Sequence, residues 1–320
     1  MAVKVARYRH AGAIRWGVVR GDRIAPLDGV WGTTGDFLAG GGRAAACERA
    51  ARDEPGALAV GEVEVLSPVT RNQQLLCQAT NYRSHLRESG MDPDHVPHNV
   101  FFRKASSCIV PASSDVVRPA HVQLLDYEIE LGLVLGREIT GPVEVAPATL
   151  HEVLAALVIV NDVSARDVQL PQGQFYKGKS YRTFGPVGPW LALVDAADLA
   201  RLDQLELRLW VNDELRQSSD LTDMVWKPAP TLTELSGLQD LFPGDLISTG
   251  TPGGCALQAP NAVVQLVGKL LPEAMKWSAF VRAQAGNPKF LKPGDRMRAS
   301  IRTADAAIDL GTQENRIVSG

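Results

Sequence analysis

Apolar runs of strand length recur along this chain, each cut short by glycine or proline, and in two places acids break into them. The runs Leu131–Leu135, Ala156–Val160, Leu205–Val211 and Leu246–Thr249 are short and bounded by turn residues, which predicts strands rather than helices. The opening residues read likewise, with Ile14-Arg15-Trp16-Gly17-Val18-Val19-Arg20 running into the turn Gly21-Asp22. No strand-then-helix pattern frames Gly40-Gly41-Gly42, so a loop is expected there and not a phosphate cradle. The expected fold is mixed and mainly β: a small N-terminal β domain over residues 1–65, then a larger unit over 66–320.

One segment has helical spacing instead. Val263, Leu266, Leu270 and Leu271, then Met275, Trp277, Phe280 and Val281, recur at that period and are interrupted by Pro272. Two short amphipathic helices are predicted within an insertion at about 258–290, packed on the main body or a subunit interface.

The acids carry the chemistry. In Asp126-Tyr127-Glu128-Ile129-Glu130-Leu131 a strand would place three carboxylates on one face. Like charges held together in a half-buried sheet are costly unless a cation sits among them, and hard oxygen donors suit Mg²⁺ or Mn²⁺. Val158-Ile159-Val160-Asn161-Asp162 can deliver a further acid to the same place. Upstream, Asn81–Glu88 can form a helical turn with His85 and Glu88 on one face. A carboxylate beside an imidazole suits a general base acting on water.

Composition narrows the class. A length of 320 residues allows a large core, and a net charge of -3 without a basic stripe argues against nucleic acid. Four cysteines, Cys47, Cys77, Cys108 and Cys255, form neither a zinc pattern nor a disulfide framework. The charged N-terminus is unlike a signal peptide, and no window approaches eighteen apolar residues. A cytosolic location without membrane contact is therefore expected.

The motifs Asn81-Tyr82-x-x-His85-x-x-Glu88, Phe102-x-Lys104-x-Ser106-Ser107, Asp126-x-Glu128-x-Glu130, Asn161-Asp162-Val163-Ser164-Ala165-Arg166-Asp167-Val168-Gln169, Lys177-Gly178-Lys179-Ser180-x-x-x-Phe184-x-Pro186 and Thr249-Gly250-Thr251-Pro252-x-Gly254 stand in one order. In that order the chain resembles the fumarylacetoacetate hydrolase superfamily. The resemblance implies a β-sandwich or β-roll catalytic domain, one divalent ion (Mg²⁺ or Mn²⁺) per subunit, a homodimer, and a small 2-oxo or β-diketo acid as substrate.

By motif position it assigns Glu128, Glu130 and Asp162 to the metal, with Asp126 supporting them from behind. His85 and Glu88 match a lid dyad that activates water, and Lys179 matches a lysine beside the metal. Lys104, Arg166, Gln169 and Thr251 match substrate-contacting positions. Two departures stand out. Cys77-Gln78-Ala79-Thr80 lacks an acid that some members carry, and the loop between Thr251-Pro252 and Pro293-Gly294-Asp295 is much longer than usual. The expected activity is metal-dependent hydrolysis of a carbon–carbon bond in an acylpyruvate-type compound, as in aromatic catabolism. The alternatives are an isomerase, tautomerase or decarboxylase on the same scaffold and, from another class, a non-catalytic small-molecule binding protein.

Overall fold

The computed structural model describes residues 2–52, 54, 56–258 and 272–320. Among the described residues one sheet of 13 strands and one of five dominate. At the centre of the larger, Ile129–Leu135 and Leu154–Asn161 pair antiparallel, with Ile129 opposite Asn161 and Glu130 opposite Val160. Both strands are buried along their whole length, as in strands covered on both faces. Gly132 is needed where the first of them lies between the second and Leu246–Ser248: a Cβ there would meet Val158 at 2.7 Å and Leu246 at 2.8 Å.

The pairing of Gly132 with Ser248 antiparallel, and of Ser248 with Cys77 parallel, sets Leu75–Ala79 one strand further on, next to Val100–Lys104. Three segments that are far apart in the chain thereby meet at one end of their strands.

The smaller sheet runs Glu214–Asp220, Glu206–Val211, Arg296–Arg302, Asp309–Ser319, Val116–Arg118. Here the alternation is clear: Leu207, Leu209 and Val211 are buried while Arg208 is exposed. They share one core with Leu131, Leu133 and Ile159 of the larger sheet. Burying each such side chain contributes roughly 1.5–3 kcal/mol. The mainly β class and the layered arrangement agree with the periodicities.

The acid-bearing run departs from the simple strand. Leu125–Asp126 pairs with Ser164–Ala165 in a separate two-stranded ladder, and Ile129 opens the long strand, so Asp126 leaves the row of acids. Its oxygens are taken by the backbone N–H groups of Tyr127, Ala256 and Leu257 and by Arg166.

The strands of residues 3–66 continue the larger sheet through Val3–His10, which pairs with Leu191–Leu193. This region also holds two helices that its strand-like periodicity did not predict, Thr34–Ala39 and Gly42–Ala51. The first opens on a reciprocal Thr33/Asp36 cap. Its Phe37 stacks on Trp16 at 4.3 Å. The glycine run is therefore a turn between helices, with Gly41 left-handed at φ 84 and Gly42 already helical.

In the insertion, Glu273–Ala285 is a helix as predicted. Phe280 and Val281 pack on the core, Trp277 meets Phe280 edge-on at 5.9 Å, and Met275 is exposed. The other predicted helix, with Leu266 and Leu270, lies outside the described residues. Among the described residues no helix is long and apolar enough to cross a membrane, and all four cysteines are free.

Candidate active site

One backbone bond and two amide side chains set the acids. The N–H of Asp162 donates to the Glu128 carbonyl at 2.8 Å. The N–H of Glu128 donates to Asn161 Oδ1 at 3.1 Å, and that of Ile129 to Gln217 Oε1 at 3.0 Å. With the chain held on both sides, carboxylate oxygens of Glu128, Glu130 and Asp162 lie within 4.8 Å of one another, all three residues buried.

Buried like charges demand compensation. Lys179 donates to Glu128 and, at 2.5 Å, to Asp162 Oδ2. Lys104 donates to Asp162 Oδ1 and to the Phe184 carbonyl at 2.8 Å. Arg166 joins Glu128 to Asp126, the latter at 2.9 Å. Glu130 receives only dipoles, the Ser248 hydroxyl and the Gly250 N–H at 3.0 Å. The positive φ of Gly250, 81, suits glycine, and a Cβ there would stand 2.9 Å from Asn81.

The ionisation behaviour follows. Burial opposes charge on Glu128, but Arg166 and Lys179 outweigh it and hold the carboxyl well below its usual range. Burial, with Asp162 and Glu128 beside it, pushes Glu130 up to about 8. Lys179 and Lys104 are desolvated too, yet their carboxylate partners hold them charged. Four buried acids (Asp126, Glu128, Glu130, Asp162) thus face three buried cations (Lys104, Arg166, Lys179). The donor set is all hard oxygen and is short of positive charge at Glu130, which fits a divalent ion such as Mg²⁺ or Mn²⁺.

Glu128, Glu130, Arg166 and Lys179 line a cavity of about 160 Å³ together with His85, Gln78, Gln169 and Thr251. His85 lies in the helical turn Arg83–Glu88; its Nδ1 is buried without a hydrogen-bond partner. Burial lowers its pKa from 6.5, so the imidazole is neutral at pH 7. The structure does not join Glu88 to it. The Glu88 carboxylate instead accepts the Gly254 N–H at 2.7 Å, and the Gly253 N–H donates to Ser84 Oγ at 2.9 Å. Helical spacing alone brings the two residues to one face; unpaired loop amides, stronger competitors for a carboxylate, turn Glu88 away.

The substrate-contact residues divide. Arg166 and Gln169 share a helix face and line the cavity, with Arg166 Nη1 donating to Gln169 Oε1 at 2.9 Å. Thr251 also lines it, but its hydroxyl is tied to the Ile129 carbonyl at 2.9 Å and to Gln217. Lys104 sits behind Asp162, off the cavity wall, because that carboxylate and the Phe184 carbonyl take its ammonium. Sequence reasoning missed Gln78, Ser248 and Gln217. Ser248 abuts the Thr249-Gly250-Thr251 motif and could have been found there; Gln217 has no local signal. It also missed Phe102 and Phe175, whose rings lie 4.8 Å apart with Lys179 Nζ 5.3 Å from the Phe102 centroid.

A layered β fold with a buried triad of carboxylates beside a lysine and a histidine defines a protein with an acid-rich site that could hold a metal ion, and comparison makes the class specific. Residues 74–318 match the family model for the fumarylacetoacetate hydrolase C-terminal region, and residues 3–68 match that for the Rv2993c-like N-terminal region. The chain belongs to the fumarylacetoacetate hydrolase family. It is 32% identical over 272 residues to the Bacillus subtilis oxaloacetate tautomerase YisK, covering 83% of this chain and 77% of that protein. It is 37% identical over 195 residues to the bovine mitochondrial oxaloacetate tautomerase FAHD2B, covering 60% of each. The match thus spans about 60% of the bovine protein's length. Among solved structures, the Exiguobacterium antarcticum fumarylacetoacetate hydrolase superposes with a TM-score of 0.71 at 25% identity, over 99% of this chain and 100% of that one.

Proposed function

We propose that this protein is a divalent-metal-dependent tautomerase that interconverts the keto and enol forms of a small 2-oxo dicarboxylic acid of the oxaloacetate type. The tautomerase activity of its relatives favours this reading over the carbon–carbon hydrolase that motif position alone put first. The observation that carries it is the Glu88–Gly254 bond: His85 lines the cavity as a neutral base whose Nδ1 has no hydrogen bond to the carboxylate that a water-activating dyad would use.

Glu128, Glu130 and Asp162 would hold the ion, whose contribution is to polarise the 2-oxo group. Neutral His85 removes a proton from the carbon beside the keto group. Lys179 spends two of an ammonium's three N–H bonds on Glu128 and Asp162 and has the third for the oxygen on which charge develops. Return of the proton to that oxygen gives the enol; no carbon–carbon bond breaks and no water is consumed. Arg166 engages three of a guanidinium's five N–H bonds within the protein, leaving two to orient a substrate carboxylate. A homodimer with one ion per subunit is part of the proposal.

The test follows enol absorbance of oxaloacetate with Mg²⁺, Mn²⁺ or chelator, alongside product analysis of acylpyruvates. Metal-dependent acceleration of keto–enol exchange without cleavage supports the reading. Release of a carboxylic acid from acylpyruvates restores the hydrolase, and loss of CO₂ restores the decarboxylase. Thermal stabilisation by Mg²⁺ with oxalate but no turnover would make the chain a binding protein.

A further inference from the structure

Gln78, in the strand Leu75–Ala79, is 1% exposed and lines the same cavity as His85, Glu130 and Lys179. Its amide nitrogen donates to Asn99 Oδ1 at 2.9 Å and to Thr231 Oγ1 at 3.0 Å. Neither partner lines the cavity. The amide oxygen is buried and has no donor. Reversing the amides of Gln78 and Asn99 together would ask the one hydroxyl proton of Thr231 to serve two oxygens, since Asn99 Nδ2 also lies 3.5 Å from Thr231 Oγ1. The network therefore favours the orientation that leaves Gln78 Oε1 free. A buried acceptor left unpaired is costly, and native structures rarely carry one without a reason.

We propose that Gln78 Oε1 accepts the O–H of the enol form of the bound 2-oxo acid and is the residue by which the site distinguishes enol from keto. The keto form offers only acceptors where the enol offers a donor, so the same oxygen attracts one tautomer and repels the other. A site built around a substrate hydroxyl rejects the analogue that lacks it far better than an apolar pocket can. This assignment rests on the tautomerase reading, but its test needs no turnover.

Malate carries a 2-hydroxyl; its O-methyl ether keeps that oxygen and lacks the proton. Titration calorimetry of both against the Mn²⁺-loaded protein and its Gln78→Met variant compares the two preferences, so that metal coordination and the bulk of the methyl group cancel. The preference for malate should fall by about tenfold in Gln78→Met, the usual worth of one hydrogen bond. It should persist in Thr231→Val, which frees the amide nitrogen but spares the oxygen. An unchanged preference in Gln78→Met, or an equal loss in Thr231→Val, overturns the proposal, the latter by showing that Gln78 only braces the strand. If Gln78→Met does not fold, Gln78→Asn, whose shorter arm withdraws the oxygen, is read in the same way. Failure of both compounds to bind the parent protein overturns the underlying substrate reading instead.

Discussion

Glu88 and Gly254 are joined by a 2.7 Å hydrogen bond between a carboxylate and a backbone N–H. Gly253, next in line, approaches so closely that a Cβ would stand 3.0 Å from Glu88 Oε1. With the Ser84–Gly253 bond, this clasps the His85 turn to the glycine loop that carries Thr251. One consequence is where His85 stands; another is that its Nδ1 has no hydrogen-bond partner there.

Glu88→Ala should cost roughly 0.5–1.5 kcal/mol of stability, the worth of one such bond, read as a shift in the urea midpoint, with keto–enol exchange reduced less than tenfold. A loss of several hundredfold at unchanged KM would show that Glu88 works through His85 after all.

His85→Ala should lower kcat by ~10² to 10⁴ while Mn²⁺ affinity stays as in the parent. Because burial lowers the His85 pKa from 6.5, the neutral base should survive mild acid. At saturating Mn²⁺ the rate should therefore hold as pH falls to 6.5 and decline only below it. A decline beginning above pH 7 would assign the titration to another group.

Glu130 should make metal binding pH-dependent. Its carboxyl is pushed up to about 8, mainly by burial and then by Asp162 and Glu128, from an ordinary 4.5. The protonated form is the one the metal-free fold favours, so the stability it contributes is complete below pH 4.5 and lost as pH rises through about 8. At pH 7, uptake of Mn²⁺ should release a proton, measurable by calorimetry in buffers of different ionisation enthalpy. Glu130→Gln should bind the ion weakly and release none. Equal proton release from that variant would contradict the ligand assignment.

Arg166 should be irreplaceable by lysine. It spans Asp126 and Glu128 from one planar head, and an ammonium is a point charge that cannot reach both. Arg166→Ala leaves two buried carboxylates underpaired and should cost about 3–5 kcal/mol. Denaturant unfolding checks this, and a variant within about 1 kcal/mol of the parent would mean water reaches the pair.

Phe280→Ser should lower thermal stability, since the ring packs on the core from the helix Glu273–Ala285, or dissociate the proposed dimer in sedimentation. KM should change little. A large rise in KM with stability intact would place the helix in the substrate pocket.

Much of the architecture was legible because its causes are local. Short apolar runs between turn residues mark strands at 129–135, 154–161 and 206–211 whatever they pair with. The helices at 34–39 and 42–51 escaped because their turns are short and weakly periodic. The Thr33-x-x-Asp36 cap was the sign to read.

By itself the sequence determined the mainly β class and singled out Glu128, Glu130 and Asp162, the three acids whose oxygens the fold brings within 4.8 Å of one another, since strand spacing and motif order pick out those acids without knowledge of the rest. Tertiary structure alone decided the partner of each polar group. Glu88 goes to Gly254, 166 residues away. Lys104 goes to Asp162, 58 away. Gln78 spends its nitrogen on Thr231, 153 away, and keeps its oxygen unpaired. Local spacing says which face a side chain occupies, but its hydrogen bonds go to whichever donor or acceptor the folded chain brings within about 3 Å, and that distance is set by sheet register and loop closure.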